Sequence, residues 1–267
     1  LGFEYRVEFV TRLAMTLSVP CLIFVALMTA DIDPQALGAL SLASFTAYGL
    51  VSIVFLGIVK LRKLDTSTYL APLVFGNTGN LGLPLAMFAF GEEGLSYAVV
   101  VFAVMAILSF TIGVLVVAGG GSPIRVIKEP VVAATFLGAL FLWQGWQTPI
   151  FLTNALELIG QMAIPIMLIT LGVAIARLET NDMGRAVWLS AIKVVVSAGA
   201  AWTAARWFGL APIPSAVLIV QLATPVAVTS YLLAEKYGHE AQPVAGLVVA
   251  STLLCVISLP LILAFVI

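Results

Sequence analysis

Within nine residues, Gly76-Asn77-Thr78-Gly79-Asn80-Leu81-Gly82-Leu83-Pro84, the chain gathers three glycines, two carboxamides, a hydroxyl and a proline. The flanking sequence is apolar enough to cross a bilayer. Each of these residues either loosens a helix or brings polar groups that hydrocarbon cannot solvate. Asn77 and Asn80 supply amide donors and carbonyl acceptors. A helix interrupted here adds bare N–H groups at the start of its second half, and such a terminus attracts anions without any formal positive charge. A second cluster, Ala223-Thr224-Pro225-Val226-Ala227-Val228-Thr229-Ser230-Tyr231, offers hydroxyls around another proline. Carbonyls freed at the end of a half-helix attract cations or protonated donors. The chemistry on offer is recognition of a small charged solute, with no bond made or broken.

Composition says where that chemistry sits. Hydrophobic residues make up 62% of the 267 and charged residues 9%, against about a quarter charged in a soluble domain. Mean hydropathy is +1.15. The chain reads as an all-α integral membrane protein, multi-pass in the cell inner (cytoplasmic) membrane. The lipid bilayer is its first partner. No basic stripe with interleaved aromatics points to nucleic acid. Cys21 and Cys255 lie in apolar segments and read as small buried hydrophobes. The single histidine, His239, stands in a loop, and there is no HExxH pattern and no paired intramembrane carboxylates. An enzyme would need such a set at membrane depth, so no catalytic residue, metal or cofactor is expected. Coupling to H+ or Na+ stays open, with the absence of an acidic ion site favouring protons or uniport. A homodimer is compatible with the sequence.

Nine apolar runs, each about one bilayer thickness, fall near 8–30, 36–59, 66–90, 95–118, 127–146, 150–176, 185–207, 212–234 and 243–266. Ten basic residues then share one side of an alternating topology: Arg6, Arg12, Lys60, Arg62, Lys63, Arg125, Lys128, Arg177, Arg185 and Lys236. Asp31, Asp33, Glu92, Glu93 and Arg206 fall on the other. The positive-inside rule places the N-terminal end in the cytoplasm and the C-terminus outside.

Two pairs of segments match at an offset of about 145 residues. Val19-Pro20-Cys21-Leu22-Ile23 resembles Ile164-Pro165-Ile166-Met167-Leu168, and Phe90-Gly91-Glu92-Glu93 resembles Tyr237-Gly238-His239-Glu240. By the charge assignment the paired spans run in opposite directions, so the copies are inverted. The first copy, 1–118, holds four spans; a cytoplasmic linker covers 119–126; the second copy, 127–267, holds five. An additional span ahead of Leu1 would restore five to the first copy and ten to the whole. The fold expected is therefore two inverted five-helix repeats with two broken, crossing transmembrane helices. Interrupted spans at equivalent positions of inverted repeats mark a secondary transporter's substrate site.

The stretch Gly76-Asn77-Thr78-Gly79 with Leu81-Gly82-Leu83-Pro84 resembles the signature of the auxin efflux carrier family, which includes bacterial malate and malonate permeases. Glu129-Pro130-Val131-Val132-Ala133, Ala163-Ile164-Pro165 with Leu171-Gly172, and Thr224-Pro225 through Tyr237-Gly238 are similar to further family motifs. The resemblance covers essentially the whole chain. It implies ten spans in two inverted repeats, with the fourth and ninth broken, and transport of mono- or dicarboxylates. The chain departs from the pattern at Thr229, where the family often has Asn, at Thr224, where it has Met, and at Glu129, where it has Asn. A hydroxyl at 229 offers fewer donors than an amide.

Asn77 and Asn80 are the first candidates for substrate contact, and capping of the broken helix ends is the competing role. Thr78, Thr224, Thr229 and Ser230 are further candidates, although hydroxyls in spans often bond back to the preceding turn. Lys193 is the one basic residue deep in a span; it reads as a counter-ion or proton carrier, or as a lysine reaching a polar cavity. Gly76, Gly79, Gly82, Pro84 and Pro225 shape the breaks, and Pro20 and Pro165 kink equivalent spans around the crossing. The functional expectation is a secondary transporter of a small organic anion working by alternating access. A sodium-coupled bile-acid-type carrier and a ligand sensor on a transporter fold are the alternatives.

Overall fold

Backbone N–H and C=O groups in an apolar surrounding need partners within the chain, and helices supply them segment by segment. In the computed structural model, residues 6–29, 34–118, 130–177 and 182–266 are described. The expected linker 119–126, Asp31, Asp33, Arg125, Lys128 and Glu129 lie outside them. The described chain is nearly all helical and contains no strand.

The helices are α1 (Val7–Leu13), α2 (Val19–Met28), α3 (Pro34–Leu61), α4 (Thr66–Val74), α5 (Leu83–Leu108), α6 (Val114–Ala118), α7 (Pro130–Gln144), α8 (Ile150–Gln161), α9 (Ala163–Arg177), α10 (Met183–Trp207), α11 (Pro212–Leu222), α12 (Val228–Lys236) and α13 (Ala241–Val266). Three single π-helical turns, Ala14–Ser18, Thr78–Gly82 and Ser109–Gly113, join α1 to α2, lead into α5 and join α5 to α6. Among the described residues, five helical segments are long and apolar enough to cross a membrane: Gln35–Leu61, Thr78–Val117, Ile150–Val173, Met183–Trp207 and Ala241–Val266.

The segment Thr78–Val117 is not straight. Gly91, at φ 67 and ψ −157, breaks the helical path inside α5. A straight helix would carry Phe102 roughly 35 Å beyond Gly79 at its 1.5 Å rise per residue. Yet a Cβ built on Gly79 would lie 3.1 Å from the Phe102 ring. The chain thus doubles back at Gly91, between the runs read from the sequence at 66–90 and 95–118.

Packing sorts the helices into two groups. In one, α2 lies against α7 and α8. Phe24, Val25 and Met28 of α2 meet Ala134, Phe141 and Leu156 there, and the Phe24 and Phe141 rings stand edge to face at 5.1 Å. Gly160 lets α8 approach so closely that a Cβ would sit 3.0 Å from the Leu22 backbone, the usual service of small residues between apolar helices. In the other group, α10 packs on α3, α11 and α13, and α5 on α3 and α11. Pro20 stands in the first turn of α2, after the π turn Ala14–Ser18. Pro165 stands in the first turn of α9, after the break at Met162. Each proline therefore follows an irregular turn, where its missing N–H is harmless. The cysteines are free, and the Cys255 thiol donates to the Thr252 carbonyl.

Candidate functional site

Helix α4 ends at Val74, and the chain runs extended through Phe75 before turning helical again at Thr78. Asn77 caps the restart: its Oδ1 accepts the Asn80 N–H at 3.2 Å. Its backbone carbonyl accepts from the N–H groups of Leu81 (3.2 Å) and Gly82 (3.1 Å). The first N–H groups of a helix have no intrahelical partner. Here those of Asn80, Leu81 and Gly82 converge on Asn77.

Helix α11 ends at Leu222, and α12 begins at Val228. The five residues between are held by four distinct groups. Lys193 Nζ donates to the Thr224 carbonyl at 3.1 Å. The Thr224 hydroxyl donates to the Gln221 carbonyl at 2.7 Å. The Asn77 N–H donates to the Pro225 carbonyl at 2.7 Å. The Val226 N–H donates to Ser251 Oγ at 2.9 Å.

The two interruptions touch. Gly76 and Val226 form an isolated antiparallel bridge. Only glycine fits at 76, because a Cβ would run into the Thr224 hydroxyl and stand 3.1 Å from the Thr224 carbonyl. Beside the contact, Gly82 backs onto the Gln221 carboxamide, which would collide with any Cβ there.

A cavity of about 300 Å³ opens at this contact. Asn77, Asn80, Gly76 and Gly79 line it from the first interruption, and Thr229 and Ser230 from the start of α12. Met15 and Val19 close it from the α1–α2 side, Met167 from α9, and Phe102 and Met105 from the returning arm of α5. The cavity therefore lies between the two helix groups. No charged side chain lines it among the described residues. Asn77 is 4% exposed, and its Nδ2 has no hydrogen-bond partner. An unpaired buried amide costs roughly 1–3 kcal/mol, so this donor, unlike Oδ1, is free for a ligand.

The other expected site residues lie off the cavity wall. Thr78 is fully buried behind Asn77, and its hydroxyl too is unpaired. Thr224 and Pro225 face the crossing, and Lys193, 1% exposed, approaches Thr224 from α10. Gly82 packs on Gln221, and Pro84 sits in the first turn of α5. The apolar wall was not legible in the sequence. Met15, Phe102 and Met167 come from three distant segments and look like any core residues.

The ends of the helices that carry the basic residues are tied by polar contacts. The Asp65 carboxylate caps α4, accepting the Thr68 N–H at 2.7 Å. Hydrogen bonds from Thr68, that of its side chain foremost, hold the Asp65 carboxyl below its ordinary value of 3.8. The Arg62 guanidinium lies 4.8 Å over the Trp188 ring, and Arg185 Nη1 donates to the Tyr69 hydroxyl at 3.3 Å. His239, to which the sequence assigns no role, has its Nε2 2.6 Å from the Val117 carbonyl.

The family described as "Membrane transport protein" matches residues 5–126 and 119–263. An uncharacterized transporter of Methanothermobacter thermautotrophicus is 25% identical over 265 residues, 94% of this chain and 86% of its own length. An uncharacterized transporter of Methanocaldococcus jannaschii is 24% identical over 208 residues, 73% of this chain and 67% of its own. The chain belongs to the membrane transport protein family, that of the auxin efflux carriers, and is a multi-pass membrane protein.

Proposed function

We propose that this membrane transport protein is a secondary transporter of a small organic anion, a mono- or dicarboxylate, which binds at the first interruption. The carrying observation is that Asn77, whose Nδ2 is buried without a hydrogen-bond partner, stands at a helix start on an uncharged cavity. Carboxylate oxygens accept hydrogen bonds only, and residues of this wall carry donors: the carboxamides of Asn77 and Asn80 and the hydroxyls of Thr229 and Ser230. A carboxylate side chain in the wall would repel such a ligand, and none is found there among the described residues.

On this reading the two interruptions are breaks in two spanning helices of inverted repeats, in a protein of the cytoplasmic membrane with its basic loops inside. Paired turns support the repeat: Gly91 and Gly238 both take positive φ (67 and 73), as do Lys63 and Gly209 (54 and 62), each pair one repeat length apart. The cavity's position between two helix groups suits alternating access. The group of α2, α7, α8 and α9 and the group of α3, α5, α10, α11 and α13 rock about the bound anion, exposing it to one side and then the other.

The test is uptake of labelled mono- and dicarboxylates into vesicles carrying the purified full-length protein. Saturable accumulation of at least one carboxylate, competed by its unlabelled form, is expected. Vesicles that take up no member of the panel above protein-free controls would overturn the reading, and tight binding without uptake would make the protein a sensor.

A further inference from the structure

The carbonyl end of the second interruption carries its own cation. Helix α11 ends with its negative dipole end at Ala223 and Thr224, deep in the protein: Thr224 and Gln221 are both fully buried. Half-helix C-termini and unwound carbonyls of this kind coordinate the coupling ion in many secondary transporters. Here the Lys193 ammonium occupies that end, 3.1 Å from the Thr224 carbonyl and 1% exposed. It comes from α10, which packs directly on α11. A lysine is almost never fully buried unless paired, and no carboxylate pairs with this one among the described residues. Its partner is a helix end.

Further polar groups are buried without partners on these two helices. Ser190 and Ser197, one turn before and one turn after Lys193 on the same face of α10, are buried with unpartnered hydroxyls. Gln221, on the last turn of α11, has both side-chain polar atoms buried and unpartnered. Oxygen atoms beside a helix C-terminus are what a small hard cation takes as ligands. Lys193 is not among the residues that line the cavity.

We propose that the Lys193 ammonium is a tethered cation standing in for a dissociable coupling ion at the crossing. Two consequences follow. Folding and anion binding need no sodium. And the substitution Lys193→Ala converts the place into a binding site for a small primary ammonium ion, because the piece it removes is a propylammonium group. The transport consequence rests on the proposed function; the cation-binding consequence is read without substrate, so either can fail alone.

The experiment measures Tm of the purified full-length protein, parent and K193A, in equal concentrations of choline, sodium, ethylammonium and propylammonium chloride. The parent Tm is expected to be the same in all four salts. K193A is expected to melt several degrees lower in choline and to regain at least half of that loss, saturably, in ethylammonium or propylammonium. Choline, which has no N–H, controls for ionic strength. A parent that loses stability when sodium is replaced by choline overturns the proposal, as does a K193A protein that no amine restores. Should K193A yield no folded protein in any salt, Lys193→Met decides. Its side chain fills the space without the charge, and a Met variant as stable as the parent overturns the proposal, whereas one that melts several degrees lower supports it.

Discussion

The two interruptions meet at one bridge yet leave opposite ends of a helix at the meeting point. At 75–77 the chain restarts a helix, and its surplus donor is the Asn77 Nδ2. At 223–227 it ends one, and its surplus is carbonyls. Those carbonyls are occupied, Thr224 by the Lys193 ammonium and Pro225 by the Asn77 N–H. Asn77 and Gly79 line the cavity, whereas Thr224 and Pro225 do not. On the proposed function, the two interruptions divide labour: one is left open for an anion, while the carbonyls of the other are taken by the protein's own groups. Charge is handled in the same spirit: among the described residues, a single buried cation is held off the cavity and none lines it.

The largest effect should come from severing the meeting point itself. Gly76→Ala puts a methyl into the Thr224 hydroxyl and against two carbonyls, neither of which can move without losing the bridge. Overpacking of this kind costs about 2–3 kcal/mol. A drop of several degrees in Tm together with loss of carboxylate binding is expected; an unchanged melting curve would show that the close approach is not needed. Gly82→Ala is expected to cost less, about 1–2 kcal/mol, since it meets the end of a flexible Gln221 side chain. The double variant Gly82→Ala with Gln221→Ala should recover most of that cost. Simple additivity in the cycle would deny the contact.

The helix interruptions at 75–77 and 223–227 fall in stretches that the sequence marks as unfit for a continuous apolar helix. Gly76 through Pro84 and Thr224-Pro225 are anomalies in any apolar run, and the paired glycines at 91 and 238 announced turns. What the residues touch was not legible. Lys193 reads in sequence as a charge facing substrate or headgroups, whereas its acceptor is a backbone carbonyl on another helix. Backbone acceptors leave no mark on residue type. The wall of Met15, Phe102, Met105 and Met167 was hidden for a related reason: apolar residues that line a cavity and those that fill a core have the same composition. The three π turns likewise depend on tertiary packing, as no residue type specifies them.

The smallest effect belongs to the outer end of the first break. Asp65 caps α4 with a carboxyl held below its ordinary value of 3.8. A depressed folded value means that the cap contributes fully above the ordinary value and fades as pH falls through the folded one. Asp65→Ala should therefore cost about 1 kcal/mol at neutral pH, and the gap in Tm between parent and variant should close as the solution is acidified below the ordinary value. A gap that stays constant would remove the carboxylate from the account.

The central claim is that the free amide of Asn77 holds the anion while the carbonyl of the same side chain caps the helix. Asn77→Asp separates the two, because it keeps an oxygen for the Asn80 N–H but replaces the ligand donor with a negative charge. Titration of the best carboxylate from the uptake panel against purified parent and variant reads the difference directly. The account predicts a variant whose affinity falls by at least about tenfold, or 1.4 kcal/mol. A variant that binds the anion as tightly as the parent would contradict it.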